Sequence, residues 1–259
     1  MSATHGHSQA CCNTPAVNSS GYIAKGSYSH IGGMKTYITG TEEPTKGIVS
    51  IYDIFGFFDQ TIQGADILAL NGYQKYKVFM PDWFNGNAVP IEWYPPDTKQ
   101  KQKDLSEWFR RNAPHDVAAA LPKYVSALQE ANPTIKSWAL IGYCWGGNVV
   151  ELTTSARNNP FSISAAPHPA MIDPTGADKI SVPYIMIASG EEPAEAVKEV
   201  QDRLKAPHQV EIFPDQVHGF MAARADLSDP KVKAEYARGY KLVLDFFEKN
   251  WPQDVTHSG

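Results

Sequence analysis

A glycine-rich hexapeptide with a cysteine near its centre constrains the fold of this chain more than any other segment. The hexapeptide, Gly-Tyr-Cys-Trp-Gly-Gly at residues 142–147, directly follows the apolar run at residues 138–141. The apolar run predicts a buried strand, and the small residues around Cys144 allow a sharp turn from that strand into a helix. The N-terminus of such a helix favours a thiolate. A glycine-rich turn around a buried structural cysteine is the alternative interpretation.

Segments of strand and helix type alternate along the chain. The predicted strands are residues 34–39, 46–52, 76–80, 135–141, 161–166, 182–188 and 209–213. Helical spacing of apolar residues occurs at residues 61–71, 117–128 and 232–247, although Pro122 argues against an unbroken helix in the second of these segments. Repeated strand-then-helix units predict the α/β fold class, with a mostly parallel sheet and helices on both of its faces.

The length of the chain, 259 residues, suits one large α/β domain. Residues 1–20 are rich in Ser, Thr, Asn and Ala without periodicity, and they predict a mobile N-terminal tail before a single domain at residues 21–259. Cys11 and Cys12, with two histidines nearby, resemble a metal-binding tract. No second ligand pair follows at a suitable spacing, so a disordered tail is favoured.

An aromatic-rich excursion interrupts the alternation at about residues 83–113. It carries, among prolines and charges, the residues Trp83, Phe84, Trp93, Tyr94, Trp108 and Phe109. Loops of this length are usually functional or disordered, and the aromatic content argues against disorder. We therefore predict a lid or a pocket wall, with ordinary packing against the domain edge as the alternative.

Composition excludes several classes of function. The net charge of −5 does not suggest a surface for nucleic acid or anionic membrane. No apolar stretch approaches the length of a membrane span, and the N-terminus lacks the pattern of a secretory signal. Three cysteines, two of them adjacent, favour a reduced, cytoplasmic compartment. Because no phosphate loop, dinucleotide fingerprint or zinc-type ligand set occurs, we expect no cofactor and no metal; the oligomeric state is not predicted.

A thiol nucleophile needs a general base. His218 is the predicted base, because it lies in the loop after the strand at residues 209–213 and the Gly-Phe pair that follows it lets this loop approach Cys144. His168 is the alternative base. It directly follows a strand among prolines, so we expect it to flank the pocket or to pack in the core.

The base in turn needs an acid that orients it. When the triad residues follow the chain order nucleophile, acid, histidine, the acid lies on a loop after a later strand. Here this is the loop after the strand at residues 182–188, where Glu191 and Glu192 provide two adjacent carboxylates. We favour Glu192, and the choice between the two stays open at this point.

These segments resemble the dienelactone hydrolase family, which has the α/β-hydrolase fold and its Gly-x-nucleophile-x-Gly elbow. The resemblance covers about residues 30–249. The motifs that carry it are residues 142–147, Asp-Ile-Phe-Gly at 53–56, Pro-Asp at 81–82 and His-Gly-Phe at 218–220.

The resemblance implies a hydrolase that cleaves an activated ester or lactone, a small-molecule substrate, through a thioester intermediate. The implied catalytic triad is Cys144, Glu192 and His218. The implied oxyanion hole consists of the backbone N–H groups of Trp145 and Ile54. We predict that the substrate pocket includes Trp83, Phe84, Tyr143, Phe220 and Arg224.

The chain differs from well-studied bacterial members of the family in three respects, and it looks more like the eukaryotic, fungal-type branch. Asp53 stands where those members have a glutamate that pairs with the thiol, so we predict that Asp53 modulates the nucleophile, directly or through water. The acid loop is shortened to residues 191–193 and lacks an aspartate. The arginine pair that holds the dienelactone carboxylate has no clear match, because Asn85 and Ala222 lie near those positions and Arg224 is offset from the second.

Two other functions compete with this interpretation. A broad carboxylesterase or thioesterase is compatible with the aromatic excursion and the missing arginine pair. A non-catalytic family member that binds a ligand is compatible with Asp53 and the shortened acid loop. A redox-sensing role for Cys144 is weaker, because no resolving cysteine occurs outside the N-terminal tail.

Overall fold

A computed structural model describes residues 16–17 and 21–252, and its centre is an eight-stranded sheet. The strands are β1 (Ser27–Ile31), β2 (Met34–Gly40), β3 (Lys46–Ile51), β4 (Tyr76–Pro81), β5 (Ser137–Gly142), β6 (Ile163–Pro167), β7 (Tyr184–Ser189) and β8 (His208–Phe213). Their spatial order is β1-β2-β4-β3-β5-β6-β7-β8. The β1–β2 and β2–β4 pairs are antiparallel, and every pair from β4 to β8 is parallel.

Helices connect most of the parallel strands. The α-helices of the described residues are α1 (Asp59–Leu70), α2 (Lys99–Arg111), α3 (Pro114–Ala131), α4 (Trp145–Thr154), α5 (Ala194–Arg203) and α6 (Pro230–Asn250). Two short 3-10 helices are Ile91–Trp93 and Pro174–Lys179. Within residues 16–17 and 21–252, no helix combines the length and the apolarity that a membrane span requires.

Both faces of the sheet are covered. Every residue of β3, β5, β6 and β7 is buried, and successive side chains of a strand point to opposite faces. Helix α1 packs against α6, and α3 packs against α4. The predicted mostly parallel sheet with helices on both faces is therefore confirmed.

Helix α3 runs unbroken through Pro122, so the expectation of an interruption there was wrong. A proline inside a helix removes one backbone hydrogen bond and crowds the preceding turn. The helix is retained because one face of it is buried, and tertiary packing of a buried face overrides local propensity. That face consists of Val117, Leu121, Tyr124, Val125 and Leu128.

The aromatic excursion contains α2, which the sequence pattern did not predict. Only Leu105 and Trp108 are buried among the 13 residues of this helix, so its apolar stripe is short. The indole Nε1 of Trp108 donates a hydrogen bond to the Asn87 carbonyl at 2.7 Å. The Val89 N–H donates to the Ile54 carbonyl at 2.8 Å. The first bond joins two parts of the excursion, and the second fixes the excursion to the loop that follows β3.

Ala16 and Val17 are the described residues of the predicted N-terminal tail, and both lie against the domain. Ala16 is buried. The Val17 N–H donates to the Ala223 carbonyl at 2.9 Å, and the Val17 carbonyl accepts from Gln60 Nε2 at 2.8 Å. The rest of the predicted tail, including Cys11, lies outside the described residues, as does the stretch at 253–259.

Candidate active site

The predicted site residues follow the carboxyl ends of neighbouring parallel strands. Asp53 follows β3, Cys144 follows β5, Glu192 follows β7 and His218 follows β8, while His168 directly follows β6. The carboxyl ends of parallel strands meet at one edge of the sheet, where ligands bind in open α/β sheets. Residues that are far apart in the sequence are thereby brought to one edge.

The turn at Cys144 is held in a strained backbone conformation. Cys144 is the N-cap of α4 with φ 54° and ψ −112°, and a positive φ is uncommon for a residue other than glycine. A side chain at Gly142 would overlap the Gly146 carbonyl, and a side chain at Gly146 would overlap the Ile51 carbonyl. Both glycines are therefore required for the strand and the helix to approach each other so closely.

The buried Cys144 side chain lies at the N-terminus of α4. The first N–H groups of a helix have no acceptor within the helix, and they carry the positive end of the helix dipole. The positive end of the helix dipole favours negative charge on an atom bound beside it.

His218 and Glu192 form a buried pair. His218 Nδ1 lies 2.6 Å from Glu192 Oε1, and each side chain is only 1% exposed. The second carboxylate oxygen, Oε2, accepts a hydrogen bond from the Ser189 N–H. A proton held on Nδ1 by the carboxylate makes Nε2 the basic nitrogen of the imidazole. The pair therefore has the geometry of a general base and its orienting acid.

Glu191 also contacts His218, but at the main chain. Its Oε2 accepts the His218 N–H at 2.8 Å. The Gly190 N–H donates to the Gln216 carbonyl at 3.0 Å, so the loops after β7 and β8 are joined at more than one point. The sequence left the choice between the two glutamates open; in the structure Glu192 contacts the imidazole and Glu191 contacts the backbone.

Asp53 joins the loop after β3 to the segment that follows His218. Its Oδ1 accepts the Phe55 N–H at 2.9 Å, and its Oδ2 accepts the Ala223 N–H at 3.1 Å. Burial raises the pKa of Asp53, and these two donors, together with Arg224 and His218, offset this effect only in part. The carboxyl group holds the turn in which Ile54 lies.

The two residues predicted to form the oxyanion hole follow neighbouring strands, and both are hydrogen-bonded to the aromatic excursion. Ile54 follows β3 and Trp145 begins α4 directly after the turn that follows β5, and these two strands are paired. The Ile54 carbonyl accepts the Val89 N–H. The Trp145 indole Nε1 donates to the Asn112 carbonyl at 2.8 Å.

Phe84 and Trp83 occupy different surroundings. The Phe84 ring centroid lies 4.9 Å from that of Trp145 and 4.8 Å from that of Trp108. The Trp83 ring instead packs against Tyr124 of α3 at 5.6 Å. The part of the excursion next to the elbow is therefore Phe84 with Trp108, a residue that was not among the predicted pocket residues.

Tyr143 and Phe220 are fully buried around His168. The His168 ring centroid lies 6.0 Å from that of Tyr143 and 5.9 Å from that of Phe220. It also lies 5.3 Å from the His218 ring centroid. Both predicted pocket aromatics therefore pack around His168, whose ring in turn contacts that of the candidate base.

Arg224 is buried beside the His218 loop. Its Nη1 donates to the His218 carbonyl at 3.3 Å. The guanidinium carbon lies 5.7 Å from the ring centroid of Phe55 and 5.6 Å from that of Tyr94, within the range of cation–π interactions. Neither aromatic residue was among the predicted pocket residues, although Tyr94 belongs to the aromatic excursion predicted as a lid or pocket wall and Phe55 lies inside the Asp-Ile-Phe-Gly motif.

Comparisons with known proteins agree with this architecture. The sequence model of the dienelactone hydrolase family matches residues 34–251. An uncharacterized AIM2 family protein of Schizosaccharomyces pombe is 33% identical over 249 residues, which covers 92% of this chain and 98% of the relative. A carboxymethylenebutenolidase homolog of Xenopus tropicalis is 25% identical over 237 residues, which covers 88% of this chain and 92% of the relative.

A solved structure shares the fold at low sequence identity. The crystal structure of dienelactone hydrolase from Anabaena variabilis superposes with a TM-score of 0.64 at 12% identity, covering 89% of this chain and 99% of that chain. The predicted α/β-hydrolase fold is thereby confirmed. The chain belongs to the dienelactone hydrolase family, whose members are hydrolases.

Proposed function

We propose that this protein is a carboxylic ester hydrolase that cleaves an activated ester or lactone, with Cys144 as nucleophile, His218 as general base and Glu192 as the acid that orients it. The observation that carries the proposal is the buried 2.6 Å contact between His218 Nδ1 and Glu192 Oε1. It lies at the same sheet edge as a cysteine on a strained strand-to-helix turn. A thiol, an imidazole and a carboxylate in this chain order are the parts of a cysteine triad.

Acylation begins with transfer of the thiol proton of Cys144 to Nε2 of His218. The thiolate attacks the carbonyl carbon and forms the C–S bond, and the carbonyl oxygen becomes an oxyanion. The backbone N–H groups of Trp145 and Ile54 stabilise this oxyanion; loss of one such donor typically costs about 3–4 kcal/mol of transition-state stabilisation. The C–O bond then breaks, and the leaving oxygen takes the proton from the imidazolium.

Deacylation uses the same groups in reverse order. His218 removes a proton from water, the hydroxide oxygen attacks the thioester carbonyl, and the second oxyanion forms in the same hole. The C–S bond breaks, the sulfur recovers its proton from His218, and a carboxylic acid leaves. Each proton accepted by the imidazole is returned within its half-reaction, so no other acid or base is required.

The nucleophile limits the class of substrate. A cysteine thiol has an ordinary pKa of about 8.5, far below that of an alkyl alcohol. From the tetrahedral intermediate, sulfur leaves more readily than an alkoxide or an amine, so productive collapse requires a good oxygen leaving group. Enol esters, enol lactones and aryl esters meet this condition, whereas amides do not.

Asp53 acts on the nucleophile indirectly in this proposal. Its two oxygens bind the N–H groups of Phe55 and Ala223, and the turn between Asp53 and Phe55 presents Ile54. The carboxyl group therefore maintains the second half of the oxyanion hole and the position of the segment after His218.

A broad carboxylesterase or thioesterase is a second candidate, favoured by the surroundings of Arg224. Its guanidinium already contacts the His218 carbonyl and the rings of Phe55 and Tyr94. This environment does not by itself select a carboxylate-bearing lactone. The aromatic contact of Phe84 with Trp145 favours instead an apolar or aryl acyl group.

A substrate panel with one variant tests the proposal. We expect the wild-type protein to hydrolyse an enol lactone or a p-nitrophenyl ester, and to leave an anilide of the same acid intact. Cys144→Ala should abolish turnover without lowering the midpoint of thermal unfolding. A Cys144→Ala variant that turns over these esters at the wild-type rate would refute the triad. The rate of enol-lactone hydrolysis, relative to the rates with an aryl ester and an acyl-CoA, distinguishes the proposed hydrolase from the broad carboxylesterase or thioesterase.

A further inference from the structure

The segment that follows β6 is bonded to the main chain of Cys144 on both sides. The Cys144 N–H donates to the Pro167 carbonyl at 3.2 Å, and the Ala170 N–H donates to the Cys144 carbonyl at 2.9 Å. A side chain at Gly147, in the first turn of α4, would lie 2.8 Å from the Cα of Pro169. Residues 167–170 therefore form a rigid neighbour of the nucleophile.

The same segment contacts the candidate base through His168. The ring of His168 lies 5.3 Å from that of His218, at an interplanar angle of 71°. In the sheet, β6 lies between β5, which carries Cys144, and β7, which carries Glu192. The loop after β8 has to pass the ends of β7 and β6 to reach the nucleophile, so His168 lies along its path.

Backbone geometry alone does not account for a histidine at this position. His168 has φ 37°, a region in which Asn, Asp and His are enriched among residues other than glycine. A small asparagine would satisfy this requirement without burying an imidazole. Instead the ring is fully buried, and neither of its nitrogens has a hydrogen-bond partner among the described residues. The His168 ring instead packs against the rings of His218, Tyr143 and Phe220.

The surroundings also keep this imidazole uncharged. Burial lowers the pKa of His168 well below the ordinary value, and the neighbouring His218 and Arg224 lower it further. An uncharged ring can lie against His218 in both protonation states of the catalytic cycle. A charged ring would repel the imidazolium that forms when the thiol loses its proton.

We propose that His168 is a positioning residue that sets the ring plane of His218 relative to Cys144 through the contact between the two imidazole rings. One segment thereby fixes both partners of the proton transfer, the nucleophile through its main chain and the base through the His168 side chain. The inference rests on the proposed function, in which His218 takes the proton of Cys144. It adds a residue outside the proposed triad of Cys144, His218 and Glu192.

Two substitutions separate ring contact from backbone geometry. His168→Asn keeps a residue suited to the positive φ and removes the ring, whereas His168→Phe keeps a ring and removes the nitrogens. Met171→Asn is the matched control, because Met171 also has a positive φ of 55° in the same connection. Thermal unfolding of each variant shows whether it is folded at the assay temperature.

Two readouts report on positioning. The first is kcat and KM for a p-nitrophenyl ester. The second is the pH dependence of Cys144 alkylation by iodoacetamide, which reports thiolate formation whether or not the ester is a good substrate. If the wild-type protein hydrolysed no ester, the proposed function would fail while the alkylation profile still tested the role of His168.

We expect His168→Asn to lower kcat by about 100-fold, the typical cost of misplacing a reacting group by about 1 Å, with KM within about threefold of the wild-type value. Its alkylation profile should shift to higher pH, because a misplaced imidazole no longer stabilises the thiolate. His168→Phe should stay within about tenfold of the wild-type kcat, and Met171→Asn should match the wild type. A folded His168→Asn variant with the wild-type kcat and alkylation profile would overturn the proposal, as would a His168→Phe variant impaired equally with His168→Asn.

Discussion

Replacement of Glu192 by glutamine removes the charge of the proposed triad acid and changes little else in size. Both carboxylate oxygens accept an N–H, Oε1 from the His218 ring and Oε2 from the Ser189 main chain. A glutamine has one oxygen and one NH₂ group, so it can satisfy only one of these donors. The side chain is 1% exposed, and water is therefore a poor substitute for the lost acceptor.

The Ser189 N–H is a main-chain donor with a fixed position, so it determines which of the two hydrogen bonds a glutamine keeps. If the amide oxygen faces the Ser189 N–H, the NH₂ group faces His218 Nδ1 and requires this nitrogen to be an acceptor. The imidazole proton then moves to Nε2, which can no longer accept the proton of Cys144. In another triad, the corresponding loss of the correct tautomer lowers kcat by about 10⁴. We expect Glu192→Gln to lower kcat by roughly 10³–10⁴, which corresponds to about 4–5.5 kcal/mol in activation free energy.

Glu191→Gln is the matched control for this prediction. Its Oε2 accepts a main-chain N–H, and a glutamine oxygen can do the same, so we expect kcat within about threefold of the wild type. The assay is steady-state hydrolysis of a p-nitrophenyl ester at neutral pH. A Glu192→Gln variant that retains a tenth or more of the wild-type kcat, or a Glu191→Gln variant that is equally impaired, would refute the assignment of the two glutamates.

Two further predictions concern stability. Burial raises the pKa of Glu151 from 4.5 to about 8, so the folded protein keeps a proton there that the unfolded chain loses above pH 4.5. The free energy of unfolding should therefore fall as the pH rises from 4.5 to 8, by at most about 1.4 kcal/mol per pH unit. Glu151→Gln, whose oxygen can still accept from Tyr184, should flatten this decline in urea titrations at pH 5 and 8, and an unchanged slope would contradict the reasoning. Gly147→Ala places a Cβ against the Pro169 backbone and should lower the free energy of unfolding by about 1–3 kcal/mol, whereas Gly176→Ala, with open space around it, should cost less than about 1 kcal/mol. Equal losses in the two alanine variants would show that the close approach to Pro169 does not matter.

The fold could be predicted because its signals are local. Buried parallel strands have continuous apolar runs, and the glycines of residues 142–147 identify the sharp turn without reference to any other part of the chain. The chain order of nucleophile, acid and histidine then selects the loops after β7 and β8. Local pattern and fold topology together were sufficient to select His218 and the acid loop as candidates.

Contacts between loops could not be predicted in the same way. The sequence identified Glu191 and Glu192 as candidate acids, but the atom that each one binds depends on how the β7 and β8 loops meet. The ring contact between His168 and His218 likewise depends on two loops separated by two strand–helix connections. Helix α2 was missed because its buried stripe is too short for a periodic signal, and the helix around Pro122 persists because of its buried face.

In the proposed mechanism, Cys144 becomes covalently acylated during turnover. Intact-protein mass spectrometry after rapid mixing with an excess of a p-nitrophenyl ester, followed by acid quenching and peptide mapping, tests it most directly. We predict a mass increase equal to one acyl group, located on the peptide that contains Cys144, removed by hydroxylamine and absent from Cys144→Ala. Steady product release while Cys144 carries no acyl group, or an acyl group on another residue, would contradict it.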